Sequence, residues 1–165
     1  IVFALNNAAP ILQANGITPH YQVVLDARSD NIKFLGHART YLLGSQCDPS
    51  LFAAVSGQAL QWHAYMEEID ALFPNDPLTL IGGGTTVGLS CMALCYAMGY
   101  RKLHLFGYDS SFRGSDTHAA PQQRNEQERA GFEVTVNDRV FITNARWQNK
   151  RKYSLRSRNH LPIWM

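Results

Sequence analysis

Cysteine is scarce in this chain: Cys47, Cys91 and Cys95 make neither a disulfide framework nor a zinc pattern. Cys91 and Cys95 fall four residues apart on a predicted buried helix and read as core thiols, which suits a reducing, cytoplasmic setting. No apolar run approaches the roughly 18 residues of a membrane span, and no signal-peptide pattern is present. There is no H-x-x-x-H pair and no Cys/His cluster to suggest zinc. Acid is missing from one end. Residues 146–165 hold Arg146, Lys150, Arg151, Lys152, Arg156 and Arg158 without a carboxylate, while all 13 Asp and Glu precede Asn144. The net charge of +2 therefore hides an acidic body and a basic tail. Such a tail can bind polyanions, but a solvated or poorly folded terminus is the favoured reading.

What is present is an alternation of short apolar runs and helical patterns. The 165 residues are enough for one domain with a real core. "IVFAL" reads as a strand ending at Asn6-Asn7, and "AAPILQANG" as a helix stopped by Gly16. "YQVVLDA" is a second strand, and "SDNIKFLGHA" one or two helical turns. "TYLLGS" is a third strand. "DPSLFAAVSG" is a short helix with Asp48 as cap and Pro49 at its first position. "ALQWHAY" is a further strand, and "MEEIDALFP" a helical turn or lid. Leu78 to Ile81 is a short buried strand, followed by a helix capped by Thr85 or Thr86 and closed by Gly99, and then by a strand over "KLHLFG". Continuous apolar strands alternating with helices predict an α/β, Rossmann-like, mostly parallel sheet with helices on both faces. "FEVTV-ND-RVFIT" adds a C-terminal β-hairpin turning at Asn137-Asp138. Between the two parts, "SSFRGSDTHAAPQQRNEQERAG" is a long polar loop of the kind that is functional or disordered.

The glycines at Gly82, Gly83 and Gly84 link a strand to a helix. Free N–H groups at a helix start, with the positive end of its dipole, favour a phosphate, and a Cβ would hold that phosphate away. Thr85 and Thr86 add hydroxyls. No Lys follows, so this is not a Walker A loop, and the spacing of Gly82, Gly84 and Gly88 only approximates the dinucleotide fingerprint. A tight structural turn is the competing explanation. Asp109 is expected just past the next parallel strand, where a carboxylate can meet a ribose hydroxyl or a metal, or can simply cap the turn at Ser110. Asn6 and Asp26 end predicted parallel strands and should share that crevice. Among the histidines, His104 reads as a core residue and His63 as structural or cleft-lining. His20 and His37 read as surface loop residues. His118, in the polar loop, is the best acid/base candidate, set against an ordinary exposed histidine.

The segments "GITPHYQVVLDAR", "YLLGSQCDPSLF", "GGGTTVGL", "GYRKLHLFGYDSSF" and "THAAPQ", in this order, resemble the 6-hydroxymethylpterin diphosphokinase MptE-like family, which also occurs in Maf-type flagellin glycosyltransferases. The resemblance covers about Ile1 to Thr143, and the glycine turn is more distantly similar to that of sialyltransferases that use CMP-sialic acid. It implies a nucleotide-containing donor, either ATP with Mg²⁺ for diphosphate transfer to a pterin alcohol, or a CMP-sugar for glycosyl transfer. By similarity Gly82, Gly83, Gly84, Thr85 and Thr86 would face the donor, Asn6 and Ser110 would meet the nucleotide, and His118, Asp109 and Asp26 would supply base or metal chemistry. The family's earlier strand and glycine turn, of the type GxGPS, are not seen here. The first residue is Ile1, so the expectation is a segment that starts inside its fold.

Residues 1–145 are thus expected to form the Rossmann-like domain and 146–165 a basic segment, disordered or truncated. Three functional classes are carried forward: a nucleotide-dependent transferase, an NAD-dependent oxidoreductase, and a non-catalytic nucleotide-binding or assembly module. The expected partner is a small-molecule or nucleotide substrate, with a homo-oligomer left open and neither membrane nor nucleic acid expected.

Overall fold

The computed structural model describes residues 1–65, 80–84, 86–108 and 131–144. The chain divides into two compact units, Ile1–Tyr100 and Arg101–Met165. In the first unit five parallel strands form one sheet: β1 (Phe3–Leu5), β2 (Tyr21–Val24), β3 (Thr40–Gly44), β4 (Gln58–Ala64) and β5 (Leu80–Ile81). They lie side by side in chain order. The crossovers carry α1 (Ala8–Ala14), a 3-10 helix (Ser29–Phe34) and α2 (Pro49–Ala54), and α3 (Val87–Ala97) follows β5. The α/β, Rossmann-like reading holds.

Parallel strands placed in sequence by right-handed crossovers put their connections on one face. The packing agrees. Register aligns Ala4, Gln22 and Tyr41 in one row, and two residues on Val24 and Leu43 point the same way. Val24, Tyr41 and Leu43 pack with Cys47 and with Leu51 of α2, and Leu35, Ala38, Phe52 and Val55 close over them. The other face belongs to α3, which packs on β1 and β2. There Phe3 stacks on Tyr21 at 4.6 Å, and Tyr100 meets Phe3 edge-on at 5.3 Å. Helices therefore cover both faces. α3 is buried at Leu89, Ser90, Cys91, Met92, Leu94 and Cys95, the wide apolar girth of a core helix rather than a narrow stripe.

The punctuation read from the sequence has its physical counterparts. The Asp48 carboxylate accepts from the Ser50 N–H at 2.9 Å and caps α2, with Pro49 in the first turn. Thr86 Oγ accepts from the Leu89 N–H at 3.4 Å and caps α3. Gly16 and Gly99 end their helices in the left-handed region, at φ 75° and 95°. In the second unit β6 (Phe132–Val136) pairs antiparallel with β7 (Arg139–Thr143). Asn137 and Asp138 take φ 49° and 60° between them, as a two-residue primed turn requires.

Two expectations fail. The strand over "KLHLFG" is not formed: residues 101–108 carry no strand. Leu103 and Leu105 are half-buried while Lys102, His104 and Phe106 are exposed, so the alternation survives. Alternation alone does not make a strand, which exists through a ladder to a neighbour. His104 is consequently exposed rather than a core residue. The expected turn or lid over "MEEIDALFP" and the basic segment after Ala145 lie outside the described residues. Among the described residues, no helix is long and apolar enough to cross a membrane.

Candidate functional site

All five strands run the same way, so their carboxyl ends share one edge. Asn6 follows β1 there, Leu25-Asp26 follow β2, Ser45 follows β3, and Gly82 follows β5. α3 starts at this edge and runs back across the sheet. Tyr100, just past its end, reaches Phe3 and so lies toward the amino edge. The glycine turn, Asn6 and Asp26 therefore stand on one edge of the sheet, where open α/β sheets bind ligands.

Gly82, Gly83 and Gly84 are exposed to solvent. The N–H groups of Gly83 and Gly84 meet no acceptor among the described residues. α3 has no acidic side chain in its own first turn to offset the positive end of its dipole. The three glycines are not alike. Gly83 has φ 134°, and a Cβ there would come within 2.6 Å of the Leu89 carbonyl oxygen and 2.8 Å of Ser90 Cα. Its bareness lets the turn fold back onto α3. Gly84 has φ 105°, and its carbonyl accepts from the Ser90 hydroxyl at 3.2 Å. Gly82 has neither constraint, and a Cβ on it would meet nothing within 4 Å. The tight-turn explanation thus accounts for Gly83 and Gly84, and only Gly82 is left bare without a demand from the fold. Ser90, which anchors the turn, was not singled out in the sequence. A lone hydroxyl inside the apolar run "VGLSCMALC" was the available signal.

Asn6 ends β1 at φ 44°. Its N–H donates to the Val23 carbonyl at 2.9 Å, and its carbonyl accepts from Gln22 Nε2 at 2.8 Å. Its side-chain Oδ1 is buried without a partner, as is Trp62 Nε1 near the carboxyl end of β4. Asp26 is held by its own turn. Arg28 Nε donates to both carboxylate oxygens, at 2.8 and 2.9 Å, and Arg28 Nη2 also meets Oδ2. The Arg28 N–H adds a bond to Oδ1 at 3.0 Å, and buried Asn31 ties the loop by donating to the Arg28 carbonyl at 3.0 Å. Arg28's side chain holds the Asp26 carboxyl below its usual range against a partial desolvation. Neither Arg28 nor Asn31 was read from the sequence, although the Asp-x-Arg spacing after a strand was there to suggest the pair.

This carboxylate does not fit a divalent metal as it stands, because a guanidinium occupies both oxygens. Among the described residues no group of three or more His, Cys, Asp or Glu could hold a metal ion. Thr85, Asp109, Ser110 and His118 lie outside the described residues, and the strand expected to deliver Asp109 to this edge is not formed. His63 is half-buried in the β4–β5 ladder, and His37 is exposed. His20, in the loop before β2, is half-buried, and its Nδ1 accepts from the Val2 N–H at 3.1 Å. The Cys91 thiol lies 3.8 Å from Cys95 sulfur inside α3, and burial lifts the Cys47 thiol to about 11, so all three cysteines are core groups.

A family model described as 6-hydroxymethylpterin diphosphokinase MptE-like matches residues 1–115. Comparison with curated proteins finds no match. Among solved structures, the MAf glycosyltransferase from Magnetospirillum magneticum AMB-1 is similar, with a TM-score of 0.74 at 20% identity. The match covers 98% of this chain and 26% of that one, so the chain spans about a quarter of its length. At that identity the likeness shows the fold.

Proposed function

The chain belongs to the 6-hydroxymethylpterin diphosphokinase MptE-like family, and from that premise we propose that it carries the donor site of a nucleotide-dependent transferase. The observation that carries this reading is the solvent-open turn Gly82–Gly84 at the positive end of α3, on the same edge as the Asn6 side-chain oxygen that lacks a hydrogen-bond partner. Unbonded N–H groups at a helix start suit phosphate oxygens. A carboxamide a few strands away suits a hydroxyl or amino group on the nucleoside. Phosphates on the turn and nucleoside toward Asn6 give one donor two anchors.

In the diphosphokinase reading, named by the family, the acceptor alcohol oxygen attacks the β-phosphorus of ATP. The bond from that phosphorus to the bridging oxygen breaks, AMP leaves, and the alcohol proton passes to a base. Positioning and charge neutralisation carry most of such a transfer. Gly82, Gly83, Gly84, Thr85 and Thr86 would hold the phosphates, with His118 or Asp109 as the base. Since Asp26 is closed by Arg28, no step is routed through Mg²⁺ at that residue.

A second reading, glycosyl transfer from a CMP-sugar, is favoured by the MAf glycosyltransferase likeness over nearly the whole chain and by that same closed carboxylate, because His118 could deprotonate the acceptor without a metal. Thermal unfolding with ATP/Mg²⁺ plus hydroxymethylpterin, and separately with a CMP-sugar, separates the two. The class that raises the melting temperature identifies the branch. No shift with either class, on a folded chain, leaves the non-catalytic module in place of both.

A further inference from the structure

Gln22 is the most buried polar residue of the sheet, with none of its surface exposed. It lies in the row between Ala4 and Tyr41, where a parallel sheet covered on both faces ordinarily carries an aliphatic side chain. An amide enclosed this way is costly unless its bonds are made. Both donors and the oxygen are engaged: Nε2 donates to the Asn6 carbonyl at 2.8 Å and to the Phe34 carbonyl at 2.8 Å, and Oε1 accepts from the Gly36 N–H at 3.0 Å. Ala4 beside it is small enough to leave room for this bridge.

The bond to Asn6 is of special interest. Asn6 is in the left-handed region, which costs a residue with a Cβ roughly 1–2 kcal/mol and least for Asn. Its N–H is fixed by β2 and its carbonyl by Gln22, so the backbone is clamped on both sides of the Cα. The side chain it presents, at the carboxyl edge, has an oxygen enclosed by protein and bonded to nothing. We infer that Gln22 is a positioning residue for the Asn6 carboxamide, holding it in the orientation in which it bonds a hydroxyl or amino group of the nucleoside. This rests on the donor-site reading above. Gln22 touches no ligand itself. It acts by keeping the Asn6 peptide in a conformation that the chain would otherwise relax from.

A double-mutant cycle on the full chain tests this, read by isothermal titration of CMP and of ATP with Mg²⁺. Asn6→Gly keeps the left-handed backbone and deletes the amide. Gln22→Leu keeps the Asn6 side chain and releases its backbone. Each is expected to weaken the nucleotide that binds wild type by about tenfold, the worth of one net hydrogen bond, and the double variant is expected to bind no worse than either single one. Gln22→Leu also leaves three partly buried backbone groups without their partner. If it does not fold, Gln22→Met, of similar length and with no charge to bury, takes its place. A purely structural Gln22 would lower the melting temperature and leave affinity unchanged. That outcome, or losses that add in full, overturns the inference alone. A folded wild-type chain that binds neither nucleotide overturns the donor-site reading, and this inference with it.

Discussion

Replacing Gly83 and Gly82 by alanine, one at a time, separates what the turn owes to the fold from what it offers a ligand. At Gly83 the new Cβ would stand 2.6 Å from the Leu89 oxygen, 2.8 Å from Ser90 Cα and 2.9 Å from the Leu89 carbonyl carbon. All three are backbone atoms inside α3, so no side chain can rotate away. Overpacking of this kind costs about 1–3 kcal/mol, and the positive φ adds about 1–2 kcal/mol. A combined loss of roughly 3 kcal/mol is a large part of the 5–15 kcal/mol that typically holds a domain together. It should lower the melting temperature by roughly 10 °C. At Gly82 the same methyl meets nothing within 4 Å, so the melting temperature should stay within about 1 °C of wild type. If a phosphate sits on the turn, Gly82→Ala should instead weaken nucleotide binding. Thermal unfolding of both variants, followed by titration of the stable one, makes the comparison. A Gly83→Ala chain as stable as wild type, or equal destabilisation by both variants, would refute the division of roles.

Two further outcomes follow from the loops. Asp26 has its carboxyl held low by Arg28, so the stability it contributes is present above the unfolded value of about 3.9 and lost as pH falls through the lower folded value. Both side chains are partly in water, so the effect is a fraction of a kcal/mol. Asp26→Asn should accordingly lower the urea midpoint slightly near neutrality and lose less of it on acidification, so that the two chains converge below about pH 4, and an unchanged acid limb would contradict the assignment. In the hairpin, Asp138→Gly relieves a left-handed residue at φ 60°. It should slow amide exchange in β6 and β7, the gain being up to about 1 kcal/mol, whereas faster exchange would argue against the turn geometry.

Much of the first unit was legible because its signals are local and strong. Asp48-Pro49 marks a helix start by its side-chain acceptor and its missing N–H, and Gly16 and Gly99 mark helix ends by conformations that other residues avoid. Asn137-Asp138 announced the hairpin for the same reason. "KLHLFG" has the right residues for a strand, but strand formation is decided by a neighbour, which no local pattern supplies. At the candidate site the glycine turn was legible as a turn, whereas the reason for Gly83, the backbone of its own helix, required the fold to be built. Gln22 was hidden for a comparable reason: within "YQVV" a single amide looks like a solvent-facing position of a strand, and only the register that slides it under Phe34 and Gly36 makes it a bridge.

The strand order has a bearing on how this sheet comes into being. Register joins Phe3 to Tyr21, Tyr21 to Thr40 and Thr40 to Gln58, so each strand's partner is the one synthesised just before it. A sheet wound this way can be extended one crossover at a time as the polypeptide leaves the ribosome, each increment closing a loop of similar length and none waiting for a distant segment. Synthesis and assembly then proceed in the same direction, and a half-made chain already displays a partly finished sheet.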